Sequence, residues 1–193
     1  MNSSSAIARM LARLACLGGV LALTLRLAAA DHTTAGPLNP HLEPLRSLLG
    51  KTWRGEFKTP GAQKPGEKPA EDIARWERAL NGEAVRILHS VNQGAYGSET
   101  MIYWSKEKNS LVYRYFTTAG YETEGTLVIT GNKFATLERV TGDADGVTEV
   151  KAVTIIRADG TYGVAAEYLK KGKWEPGHTA VYHDDPKAEV MFK

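Results

Sequence analysis

The sequence predicts an all-β protein: an antiparallel up-and-down barrel of about ten strands, with a short helix in front of it. Three observations carry this. From residue 52 onward, apolar and polar residues alternate in short runs with a period of two, the period of a half-buried strand. Turn sequences separate the runs at short, even spacing, among them Asn81-Gly82, Gly131-Asn132, Asp159-Gly160 and Lys171-Gly172. No second helix of note interrupts the rhythm, and closing so large a sheet removes its two exposed edges.

The chain has 193 residues, and its first thirty read as a signal peptide. Arg9 and Arg13 precede an uncharged apolar run over 14–25, and Ala28-Ala29-Ala30 supplies small residues for cleavage before Asp31. The run is shorter than the roughly 20 apolar residues of a membrane span. The expected mature protein therefore has no membrane span and is exported, to the periplasm or the exterior. The only cysteine, Cys16, leaves with the leader, so neither disulfide nor thiolate chemistry remains. Arg9, Arg13 and Arg26 leave too, taking three of the 24 basic residues from a chain with 22 acids. The near-neutral remainder offers no electrostatic footprint for nucleic acid.

Residues 31–38 are polar and carry Pro and Gly, as a linker does. The barrel domain spans 39–193. Leu42, Leu45, Leu48 and Leu49 recur at three- and four-residue spacing, which predicts a helix with one apolar face. Pro40 and Pro44 fall near its start, and Gly50 is placed to stop it. Trp53, Gly55 and Phe57 then alternate with Thr52, Arg54 and Glu56 as the first strand. A Pro/Gly/Lys loop covers 60–69. Further strands follow over 71–80, 83–91, 100–104, 110–117, 125–130, 133–140, 148–157, 162–169 and 178–183, the last bent at Pro176-Gly177. The tail is expected to add a final pairing through Val190 and Phe192.

A helix feeding a Gly–Trp strand, in Gly50-Lys51-Thr52-Trp53, resembles the opening of calycin barrels, the superfamily of lipocalins, fatty-acid-binding proteins and nitrobindins. The spacing is one residue longer than the lipocalin Gly-x-Trp. The same opening looks like that of uncharacterised secreted bacterial domains. The resemblance implies a calycin-like barrel whose tryptophan plugs the closed end. It carries over no haem ligand, because His178 and His183 stand in surroundings (PGHTAVYHDD) that do not match the nitrobindin motif.

Candidate chemistry is sparse. His89 shares the apolar face of its strand with Val85, Ile87 and Val91. An imidazole there could ligate haem iron, act as a base, or be a core histidine satisfied by a neighbour. Arg86, Arg114 and Arg139 lie within strands; turned inward they would hold a carboxylate head group, turned outward they are solvated or paired. Arg114 shares its face with Val112 and Phe116. Tyr103, Tyr113, Trp76 and Trp104, with the other tyrosines, could line an amphipathic pocket or simply pack a sheet. Asp143-Ala144-Asp145-Gly146 lacks the ligands and helices of an EF-hand and reads as a turn. His183-Asp184-Asp185 could offer metal ligands, but a frayed last turn explains it, and no metal site is expected. No nucleophile elbow, metalloprotease helix, P-loop or dinucleotide fingerprint is present, so the sequence specifies neither reaction nor cofactor. Three readings follow: a carrier of a small, partly apolar ligand bound through residues such as His89, Arg114, Tyr103, Tyr113 and Trp104; an enzyme on the same barrel; or a filled, ligand-free interaction module.

Overall fold

A computed structural model describes residues 36–60, 68–142 and 145–193. The expected signal peptide, most of the linker, the loop over 61–67 and the Asp143-Ala144 pair lie outside the described residues. Ten antiparallel strands close into one barrel. In chain order they are β1 (Thr52–Phe57), β2 (Ala70–Ala79), β3 (Ala84–Val91), β4 (Tyr96–Ser105), β5 (Ser110–Thr117), β6 (Glu122–Thr130), β7 (Lys133–Thr141), β8 (Val147–Ile156), β9 (Tyr162–Lys170) and β10 (Lys173–Asp184). Each pairs with its sequence neighbour. The barrel closes where β1 meets β10, with Gly55 opposite Tyr182.

The segment before β1 is a 3-10 helix, Pro40–Leu48. The two prolines bear on the choice: Pro44 has no N–H to give to the carbonyl of Pro40, which removes one α-helical bond. At three residues per turn, Leu42, Leu45 and Leu48 stack on one face, and all three are buried. Asn39 caps the start by accepting from the His41 amide. The helix closes one end of the barrel. There the indole N–H of Trp53 donates to the Leu48 carbonyl at 3.2 Å, and the Gly50 amide to that of Trp76.

One turn, the tail and two strand starts differ from expectation. Asn81-Gly82 is not a two-residue hairpin, because Ala79 pairs with Ala84 and the link is a wider turn with positive φ at Leu80, Asn81 and Gly82. The wider turn offers the Gly82 carbonyl to the Asn39 amide, which ties the helix to the barrel. The tail does not form a strand. It crosses the outside of β2 to β4: the Met191 amide donates to Ser90 Oγ, and Phe192 lies against Gly97. Strands β4 and β6 begin at Tyr96 and Glu122, earlier than expected, because their first residues complete the ladders with β3 and β5.

Candidate functional site: a barrel cavity with an apolar floor and a polar mouth

Alternation aims one residue in two at the barrel axis. Together these side chains enclose a cavity of about 450 Å³. The register places them in two levels. Toward the helix-closed end the lining is apolar, with Leu45, Trp76, Ile87, Ile102, Leu127 and Phe134. Toward the opposite end, where the β1–β2, β3–β4 and β5–β6 links lie, it is polar: Asp72, His89, Tyr96, Tyr115, Tyr121, Glu138, Tyr168 and His178.

Asp72 is the centre of the first polar group. It is wholly buried, and its Oδ2 holds two partners, His89 Nδ1 at 2.7 Å and the Tyr182 hydroxyl at 2.7 Å. Its other oxygen, Oδ1, is buried with no hydrogen-bond partner among the described residues. Three strands meet here because Gly55 stands between Asp72 and Tyr182 in the sheet. A Cβ on Gly55 would lie 2.6 Å from the Tyr182 ring, so only glycine lets the ring lean across and its hydroxyl reach the carboxylate. With Nδ1 taken by Asp72, Nε2 is the remaining hydrogen-bonding atom of the His89 ring.

The second group is on β9 and β10. A bulge between Pro176 and Thr179 puts one extra residue into β10 and turns His178 inward. Its Nδ1 lies 2.5 Å from the Tyr168 hydroxyl, and its ring meets Phe57 edge-on at 4.8 Å. Burial holds His178 below the usual imidazole range, which favours the neutral ring at neutral pH. A third group joins three phenols. Tyr96 hydrogen-bonds Tyr115 at 2.5 Å and Tyr121 at 2.9 Å, and burial pushes Tyr96 and Tyr115 up, so both stay protonated.

Glu138, on β7, is the second carboxyl of the lining. It accepts from Thr123 at 2.6 Å and from Thr136 at 2.7 Å, and burial raises its pKa despite those bonds. The consequence for stability has a definite sign. Above the usual carboxyl value of 4.5 the unfolded chain releases this proton, while the native chain holds it to higher pH. Stability from neutral Glu138 is therefore full below that value and is lost as pH rises through the native pKa. Glu138→Gln, which stays neutral, is expected to gain on the wild type as pH rises from acid to neutral. Urea midpoints measured across that range check this; parallel profiles would show Glu138 ionised in the fold.

Of the residues singled out from sequence, His89 and Tyr113 line the cavity. Trp104 faces inward but lies beyond the cavity, at the closed end, stacked on His41 at 3.4 Å. Tyr103 is on the outer face, opposite Val112. Arg114 is also outside, ion-paired with Glu124 at 2.8 Å, so it holds nothing in the interior. Arg86 pairs with Glu77 at 2.6 Å and Arg139 is exposed. Trp76, Tyr168 and Tyr182, among the aromatic residues that the sequence offered for a pocket, also line it, whereas sequence reasoning missed Asp72 and Glu138. Asp72 shares the two-residue period of Ala74 and Trp76, and Glu138 that of Phe134 and Thr136, so the signal for their faces was present.

No protein-family model matches the chain, and no curated protein is similar to it. The barrel and its cavity therefore carry the functional argument. Among the described residues no helix is long and apolar enough to cross a membrane, and no group of three His, Cys, Asp or Glu side chains is placed to hold a metal ion.

Proposed function

We propose that this chain is an exported, calycin-like binding protein that takes one small amphipathic molecule into its barrel. The observation that carries the reading is the graded cavity of about 450 Å³, apolar beside the closing helix and polar at the other end. That volume is within the range of sites for drug-sized ligands, which are lined mostly by apolar groups with a few placed polar ones. An amphipathic molecule enters apolar end first, and its polar end stays among the hydroxyls, imidazoles and carboxyls. The hollow interior supports this over a barrel filled by its own aromatic residues. The leader-like residues 1–30 and the absence of cysteine after them support export.

The test is titration with N-phenyl-1-naphthylamine, a neutral dye that brightens in apolar sites. Saturable binding of one dye per chain is expected. Ala152→Trp should abolish it, because Ala152 lines the cavity and an indole there fills the space. A folded wild-type chain that binds no dye, or a folded Ala152→Trp chain that binds it unchanged, would remove the cavity from consideration.

A further inference from the structure

Resting on the reading of the barrel as a ligand carrier, we infer that its ligand is an amphiphilic amine, with the ammonium held at Asp72 Oδ1 and the apolar body on the Trp76–Ile87–Phe134 floor.

The first support is the unpaired oxygen. Asp72 is wholly buried and lines the cavity, yet among the described residues Oδ1 has no partner while Oδ2 has two. A carboxylate oxygen removed from water without a donor is costly, so the arrangement favours a bound molecule that brings one. A donor that is also cationic gains most, since charge-assisted hydrogen bonds are the strong ones.

The second support is the charge of the lining. Among the described residues it contains neither lysine nor arginine, and of its two carboxyl side chains Asp72 supplies the charge, since burial favours the neutral form of Glu138. The described lysines of the mouth loops, Lys58, Lys68 and Lys171, are exposed and do not line it. His89 is committed to Asp72 through Oδ2, and His178 is kept neutral by burial. A ligand carboxylate would meet like charge at Asp72 with no guanidinium or ammonium to hold it, which disfavours it in a low-dielectric site.

The third support is the set of aromatic side chains at the same level. Tyr96, Tyr115, Tyr121 and Tyr168 surround the polar end of the cavity, and Phe57 stands at its mouth. Aromatic faces attract a desolvated cation and give nothing to an anion.

The experiment compares three ligands of one chain length, octylammonium, 1-octanol and octanoate, as displacers of N-phenyl-1-naphthylamine from the full chain at neutral pH. Octylammonium is expected to displace the dye at concentrations about tenfold or more below octanoate, with octanol between them. In Asp72→Asn the ammonium should lose its advantage over the alcohol, while octanol binding persists. Octanoate displacing as well as octylammonium overturns the amine assignment and leaves the carrier reading standing. So does dye binding that none of the three displaces. Failure of the dye itself to bind overturns both. An advantage for octylammonium that survives in a folded Asp72→Asn removes Asp72 as its anchor. Should that variant not fold, the ligand order on the wild-type chain still decides the class.

Discussion

Replacing Trp53 by alanine is expected to cost the fold about 3–5 kcal/mol, the range for deleting a large buried aromatic side chain. The indole is 2% exposed and lies where three parts of the molecule meet. It packs edge-on to Tyr162 at 5.0 Å. Tyr162 in turn stacks on Tyr182 at 4.5 Å and accepts the Trp76 indole N–H at 3.3 Å, so Trp53 supports the residues beneath the cavity. Its own N–H holds the last carbonyl of the 3-10 helix. Alanine removes the packing and leaves that buried carbonyl without its donor. Trp53→Phe keeps most of the apolar volume and loses the hydrogen bond, so it should fall well short of the alanine variant, with about 1 kcal/mol assignable to the bond. Urea denaturation of both variants measures the difference. A loss under about 1 kcal/mol for alanine would mean that the indole does not plug the barrel.

The fold was legible because its strands advertise themselves twice, by alternation and by turn chemistry. Lys171-Gly172 illustrates the second: both residues take positive φ, as a two-residue hairpin between Lys170 and Lys173 requires. Strand β5 shows where alternation fails. Both of its faces are apolar, Leu111-Tyr113-Tyr115 on one and Val112-Phe116 on the other, so the pattern alone does not say which way Arg114 points. The barrel resolves it by turning the tyrosines inward and leaving Phe116 exposed. The helix was visible as an apolar segment, but three- and four-residue spacings coexist in it. Its 3-10 winding follows from the prolines and the Leu42–Leu45–Leu48 interval rather than from the apolar count.

The site was less legible for a different reason. Its centre joins residues far apart in sequence: Asp72 and Tyr182 are 110 positions apart and meet because β1 pairs with β10. An acidic residue in a strand is ordinarily assigned to solvent, and that expectation outweighed the two-residue period that Asp72 and Glu138 share with inward neighbours. The same rule hides any polar cavity. The more a lining departs from apolar, the more its residues resemble an outer face. Gly55 was another local hint, a glycine on the inward face of β1, and its meaning emerged only with the Tyr182 ring packed where its side chain would be.

Gly125→Ala is expected to be the second severe substitution, at about 3 kcal/mol, the upper end of the usual cost of over-packing. Gly125 lies on the inward face of β6, between Tyr113 on β5 and Glu138 on β7. A Cβ there would fall 1.9 Å from the Leu137 carbonyl oxygen and 2.8 Å from the Glu138 Cα. These are backbone atoms of the neighbouring strand, so no side chain can swing aside and the two strands must part. Gly131 is the internal comparison, at a hairpin tip with φ +61 and open space around it. Gly131→Ala meets no atoms and bears only the left-handed backbone penalty, about 1–2 kcal/mol. The order Gly125 above Gly131 separates close strand approach from turn conformation, and equal losses would refute the contact. Parting β6 from β7 would also stretch the 2.6 Å bond from Thr123 to Glu138 that joins these strands. Gly125→Ala should therefore weaken dye binding in whatever fraction remains folded, whereas Gly131→Ala, at the closed end, should leave it unchanged. One methyl group on β6 would then report on both the closure of the barrel and the shape of its cavity.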